Sequence, residues 1–126
     1  MSKKITFISN IDHNGDTQQI SFEAAVDITS YEGFTVYEFK EPNMNVMNRI
    51  EVAPEYANIF AGPSTINLEL NKTIAIQYET PQGILLLDSH LEEMDCTNEN
   101  DVKFQYTLSQ QDQIVGRYNI NLKIEG

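Results

Sequence analysis

Cysteine is nearly missing from this chain. Cys96 is the single one in 126 residues, so no disulfide can close within it, whereas small secreted domains commonly depend on several. Basic residues are scarce as well: 8 Lys and Arg stand against 19 Asp and Glu, for a formal net charge of -11. Affinity for nucleic acid comes mostly from Lys and Arg neutralising phosphates, and anionic membrane surfaces attract basic segments. The charge therefore argues against both, and leaves a small molecule or another protein as partner. A cationic ligand or a basic protein is permitted by this balance. Long apolar runs are lacking too. The longest, Ile84 to Leu87, falls far short of the ~20 residues that a membrane helix needs. The opening Met1-Ser2-Lys3-Lys4-Ile5-Thr6-Phe7-Ile8 has the charged start of a secretory signal, but Ser9, Asn10, Asp12 and His13 interrupt it before an adequate apolar region forms. Together these absences predict a cytoplasmic protein.

Signatures of catalysis are absent in the same way. There is no Gly-rich phosphate loop, nucleophile elbow or zinc-protease motif. The sequence predicts no cofactor, and it favours a binding or interaction module over an enzyme.

What is present is a globular chain with a period of two. Hydrophobic residues make up 40%, a normal share, and a chain of this length buries roughly two-thirds of its unfolded surface. That suits one domain spanning residues 1–126. Successive strand side chains point to opposite faces. Ile20, Phe22, Ala24, Val26 and Ile28 alternate with polar neighbours, as do Ile66, Leu68 and Leu70. Val102, Phe104, Tyr106 and Leu108 form a third such set. Ile114, Tyr118, Ile120, Leu122 and Ile124 form a fourth, with Gly116 on its apolar face marking a bend or a close backbone approach. Weaker strands are expected around Ile5 to Ile11, Phe34 to Lys40, Met44 to Val52, Tyr56 to Phe60, Ile74 to Tyr78 and Ile84 to Met94. Phe22, Val26, Leu68, Ile76, Phe104, Ile120 and Leu122 are the expected core.

The turns agree with the strands. His13-Asn14-Gly15-Asp16 holds Asn-Gly, whose two residues both tolerate the positive φ of a tight hairpin. Tyr31-Glu32-Gly33-Phe34 reads as a second hairpin. Thr80-Pro81-Gln82-Gly83 suits a turn in which Pro presets φ and Gly takes the left-handed position. Strands joined by tight turns form an antiparallel meander. Closing it into a barrel of about eight to ten strands removes the exposed edges; a sandwich is the competing arrangement.

The hexad Tyr78-Glu79-Thr80-Pro81-Gln82-Gly83 resembles the Tyr-x-Thr-Pro-x-Gly signature of the YwiB family, a bacterial domain of unknown function. Phe39-Lys40-Glu41 is similar to that family's aromatic-x-Glu. The opening strand and hairpin and the closing Gly116-to-Ile124 strand extend the likeness over nearly the whole chain. The resemblance implies a lipocalin-like (calycin) barrel and supplies no activity. Members often carry an Arg shortly before the Gly of the middle strand; here Phe60-Ala61-Gly62 stands instead, so no role passes to this chain from that Arg.

Candidate residues follow from the barrel reading. Such barrels can hold one small ligand in the interior or mouth. Tyr78, Tyr106 and Tyr118 lie on apolar faces and each has a hydroxyl to satisfy, so they are candidates to orient a ligand, or core residues whose hydroxyls reach backbone or water. Arg49 is a candidate partner for an anionic group, or a surface residue. In the hexad, Tyr78, Thr80, Pro81 and Gly83 are read as a structural turn rather than a site. Asp88, His90 and Glu92 share one strand face, the pattern of a metal site, but read here as a solvated polar face. His13 reads as a surface turn residue. Cys96 lies among Glu92, Glu93, Asp95 and Glu99, which raise a thiol's pKa, and reads as inert. Two function classes stay open: a small-ligand barrel, and an interaction or structural module whose interior is filled.

Overall fold

The computed structural model describes residues 3–43, 45–62 and 64–126. These form ten strands: β1 Lys3–His13, β2 Asp16–Tyr31, β3 Phe34–Glu41, β4 Val46–Ala53, β5 Tyr56–Ala61, β6 Ser64–Glu69, β7 Thr73–Thr80, β8 Gly83–Asp95, β9 Asp101–Gln110 and β10 Gln113–Glu125. They make one antiparallel sheet in the order β6-β5-β4-β3-β2-β1-β10-β9-β8-β7. The sheet curls into a nearly closed barrel, so the meander reading holds and two open sheets are not seen. Met44, expected to begin the fourth strand, lies outside the described residues.

Odd-to-even connections, such as Asn14-Gly15 and Pro81-Gln82, all fall at one end of the barrel, called here the open end. The other connections fall at the closed end. Asn14 (φ 53) and Gly15 (φ 94) both take the left-handed backbone that the β1–β2 hairpin requires, and the Asp12 carboxylate accepts the Gly15 N–H at 2.8 Å. Glu32 (φ 48) and Gly33 (φ 87) repeat the geometry between β2 and β3.

The pairing register carries the inward face round the barrel. Phe22 lies opposite Phe7, Phe7 opposite Leu122, and Leu122 opposite Val102. Of the expected core, Val26, Leu68, Ile76, Phe104, Ile120 and Leu122 are buried. Phe22 is only half-buried, stacked on Phe7 with centroids 5.1 Å apart. Leu87 and Leu91 point inward.

Two bulges shift the alternation. One lies between Leu91 and Glu93, the other between Ile114 and Gly116. The second corrects the reading of Ile114. An extra residue at Val115 flips the parity, so Ile114 sits opposite the outward Ser109 rather than sharing the face of Tyr118, and it is exposed.

The barrel's one discontinuity falls between β6 and β7, which touch without a ladder. Ser89 of β8, fully buried, spans it: its hydroxyl donates to the Asn67 carbonyl at 2.7 Å. Near the closed end the Asn71 N–H donates to the Leu91 carbonyl at 2.9 Å. The closed end itself is capped by the 96–100 loop. The Tyr37 hydroxyl rises from the interior and donates to the Glu99 carbonyl at 2.6 Å, and the Ile124 N–H donates to the Asn100 carbonyl at 2.9 Å.

Candidate functional site

Towards the open end the interior is not filled. A cavity of about 150 Å³ remains there. Its walls are the aliphatic side chains Ile11, Ile20, Ile50, Ile59 and Ile120, with Phe7 beneath and Tyr106 and Tyr118 on one side. Phe7 belongs in turn to an aromatic layer: Phe7, Phe22 and Phe39 lie with all three centroid separations between 5.1 and 5.9 Å. Alternation puts these residues inward; strand pairing puts them at one level.

Two polar side chains, Ser9 and Asn48, join the lining. The Asn48 amide donates to the Val46 carbonyl at 3.2 Å. Ser9 and Tyr106 are 4% and 5% exposed, yet neither hydroxyl has a hydrogen-bond partner among the described residues. No side-chain oxygen wholly removed from solvent is left unpaired there. Both hydroxyl oxygens therefore keep some accessible surface, and both residues line the cavity. No carboxylate or cation lines this cavity.

The structure brings Tyr78, Tyr106 and Tyr118 together. The Tyr106 and Tyr118 rings stack at 4.8 Å with 10° between planes. Burial raises the hydroxyl pKa of both, and the nearby Tyr78 raises each further. At neutral pH they are protonated donors. Gly116 makes room for this stack. A Cβ there would meet the Tyr118 ring at 3.0 Å and the His13 ring at 3.1 Å, the close approach expected at that glycine.

His13 is exposed, as read, but it is also tied to the mouth. Its Nδ1 lies 3.0 Å from the Val115 carbonyl, so Nδ1 carries a proton and donates to it, and its ring stands edge-on to Tyr118 at 6.0 Å. Sequence reasoning missed this contact because it spans 102 residues and depends on the Val115 bulge. Ser9 escapes sequence reasoning as well: a serine after an apolar run reads as a polar break, whereas this one faces inward and lines the cavity.

Arg49 does not join the tyrosines. It lies on the outer face, where its guanidinium donates to the Glu51 carboxylate through Nε at 2.8 Å, and Glu51 also accepts from the Asn58 amide at 3.1 Å. That network occupies the cation that an anionic ligand would need.

The remaining candidates lie apart. His90 contacts Thr73 at 3.3 Å and Glu92 bonds to Thr107; among the described residues no three His, Cys, Asp or Glu side chains are grouped to hold a metal ion. Cys96 is half-buried, and its thiol pKa is raised, first by burial and then by Asp95. In the hexad turn, Gly83 takes φ 129, and the Thr80 hydroxyl donates to the Gly83 carbonyl at 2.8 Å.

Comparison with known proteins places this arrangement in a family. The model of the Domain of unknown function (DUF1934) matches residues 5–122, all but the ends of the barrel. The chain belongs to the DUF1934 family. A DUF1934 relative is similar along most of its length: an "Uncharacterized protein" of Mycoplasmopsis pulmonis (strain UAB CTIP) is 34% identical over 107 residues, covering 83% of this chain and 84% of that protein. The DUF1934 chain also resembles a solved structure, the ywiB protein from Bacillus subtilis, with a TM-score of 0.73 at 11% identity, over 99% of this chain and 92% of that one. At that identity the likeness speaks for the fold, which agrees with the resemblance carried by the Tyr78–Gly83 hexad. No helix among the described residues is long and apolar enough to cross a membrane.

Proposed function

We propose that the protein is a non-enzymatic, cytoplasmic small-ligand barrel whose site is the open-end cavity. One observation carries the reading: Ser9 and Tyr106, nearly buried and with hydroxyls that have no protein partner among the described residues, line a largely apolar space. Water that enters the cavity can pair with these two hydroxyls, and an occupant with an acceptor or a donor can take its place. Size limits that occupant. Drug-sized ligands take roughly 300–1,000 Å³, and the cavity offers about 150 Å³, the volume that elsewhere admits about one benzene ring. Charge limits it further, because an ion taken into an unpaired apolar site loses hydration without compensation. The fitting ligand is neutral, planar, about one ring in size, and bears a hydroxyl or carbonyl.

Native mass spectrometry of protein purified from its own host tests for a retained molecule. Titrating the labelled protein with phenol, benzene and benzoate, followed by NMR, tests the class. Phenol is expected to bind best, with shifts at Ser9, Tyr106 and Tyr118, and Ser9→Val should weaken phenol but not benzene. Benzoate binding as tightly as phenol, or all three failing at millimolar concentration, would reject the reading.

A second reading rests on a different observation. Ile84 and Leu86 are 61% and 67% exposed on β8, with Leu85, Ile114 and Val115 exposed nearby on the same end. Exposed apolar patches mark interaction surfaces. Sedimentation of the wild type beside Leu86→Lys tests this: association that the substitution abolishes would favour an interaction module.

A further inference from the structure

A second depression lies on the outer face at the closed end, remote from the cavity. It is lined by Glu32, Phe34, Ala53, Pro54, Glu55 and Tyr56. Phe34 begins β3 and Tyr56 begins β5, so the β2–β3 and β4–β5 turns bring both rings to the same rim. Their centroids are 6.3 Å apart with 59° between planes, which makes an open V. Ala53 and Pro54 supply an apolar surface beside it. Each turn also contributes a carboxylate, Glu32 from one and Glu55 from the other. Neither belongs to an ion pair among the described residues.

We propose that this V is a binding site for a small alkylated ammonium ion. Ring faces carry negative quadrupole potential and attract a cation within about 6 Å of the centroid. Two carboxylates in no direct ion pair among the described residues add to it, Glu55 also acting at longer range on Lys72. An anion is repelled here, and a neutral apolar ligand would desolvate both carboxylates without return. A bare ammonium is strongly hydrated, and a shallow apolar floor cannot replace that water. Methyl groups on the nitrogen remove the difficulty, because they spread the charge and offer apolar surface to Phe34, Tyr56, Ala53 and Pro54. The chain's own Lys72 shows the local potential. Its ammonium sits 2.5 Å from Glu69, the residue opposite Tyr56 in the β5–β6 ladder, and Glu69 and then Glu55 favour its charged form. With 19 acidic residues against 8 basic ones, long-range attraction also favours a cation.

The experiment titrates the isotope-labelled full chain with tetramethylammonium chloride, choline chloride, the neutral isostere 3,3-dimethyl-1-butanol, and sodium chloride at matched ionic strength. Tetramethylammonium and choline are expected to give saturable NMR shifts confined to the β2–β3 and β4–β5 turns. The alcohol should bind at least several-fold more weakly. Tyr56→Ala should weaken tetramethylammonium by about 2–5-fold, the worth of one exposed ring, with the rest of the spectrum unchanged. The paired Glu32→Gln and Glu55→Gln changes should weaken it further and flatten its salt dependence. Linear shifts equal to those of sodium chloride, equal affinity for the alcohol, or unaltered binding in Tyr56→Ala would each overturn the site. So would a lysine-rich peptide that binds where tetramethylammonium does not.

Discussion

The two ends of the barrel interior are built differently. In the closed half, Ile5, Tyr37, Val52, Ala57, Leu68, Leu91, Val102 and Leu122 are essentially inaccessible, and the one hydroxyl among them is spent on the Glu99 carbonyl of the capping loop. In the open half, Phe7, Ile11, Ile59, Tyr78 and Tyr118 are only half-buried, Ile20 is 39% exposed, and hydroxyls face a cavity. Burial stabilises in proportion to area, so the closed half holds the chain together. The open half gives up packing for a shaped space.

Phe104→Ala is the harshest way to test that division. Phe104 is 3% exposed in the closed half, and truncation there should cost about 3–5 kcal/mol, read by chemical denaturation. A loss under about 1 kcal/mol would mean the closed half is not the stabilising one. Gly116→Ala probes the open half. Its new methyl would press on Tyr118 and His13, and overpacking of this kind costs about 1–3 kcal/mol. In a Tyr118→Ala background the same Gly116→Ala change should cost clearly less; an equal cost in both backgrounds would show that the strand, not the ring, resists the methyl. Gly83→Val asks whether the hexad turn is structural. A Cβ there meets nothing within 4 Å, but φ is +129, so strain alone should cost about 1–3 kcal/mol. An unchanged melting temperature with lost ligand binding would turn that turn into part of the site.

The smallest effect is expected at Tyr37→Phe, about 0.5–1.5 kcal/mol for one hydrogen bond, and it carries a pH signature. Burial, then Glu99 and Cys96, push the Tyr37 hydroxyl from 10.0 up to about 12. The folded state therefore holds this proton more tightly than the unfolded chain does. Its stabilisation is complete below the unfolded value near 10.0 and is lost as pH climbs from there towards about 12. Denaturation between these limits should be steeper with pH in the wild type than in Tyr37→Phe. Identical slopes would remove Tyr37 as the closed end's alkaline weak point.

Strands, turns and most of the core were legible because alternation and turn chemistry are local. Ile20 to Ile28 shows its period without help, and Asn14-Gly15 shows its φ. The site was legible only in part. The three tyrosines could be set on inward faces one strand at a time, but their meeting needs the register of β7 through β10. The Arg49–Glu51 pair was legible locally: residues two apart on a strand share a face, and Glu51 stands two residues on. The Val115 bulge, the Ser89 bridge and the Phe34–Tyr56 rim left no local mark, since each exists only once distant strands are aligned.

The β1–β10 ladder has a kinetic consequence. Every other pairing joins strands consecutive in the chain, mostly through short turns, while this one sets Lys4 against Glu125 and Asp12 against Arg117. Loop-closure entropy grows slowly with length, by about 0.6 kcal/mol per doubling, but long-range pairing returns nothing until both strands are in place, and such contacts slow folding. Two independent meanders, β1 to β6 and β7 to β10, can zip locally and then dock. The docking line is β1–β10, and the gap between β6 and β7 is where the two meanders are already tethered by the chain. Destabilising substitutions along β1–β10, such as Leu122→Ala, should then slow folding, whereas those at the hairpin tips should mainly speed unfolding.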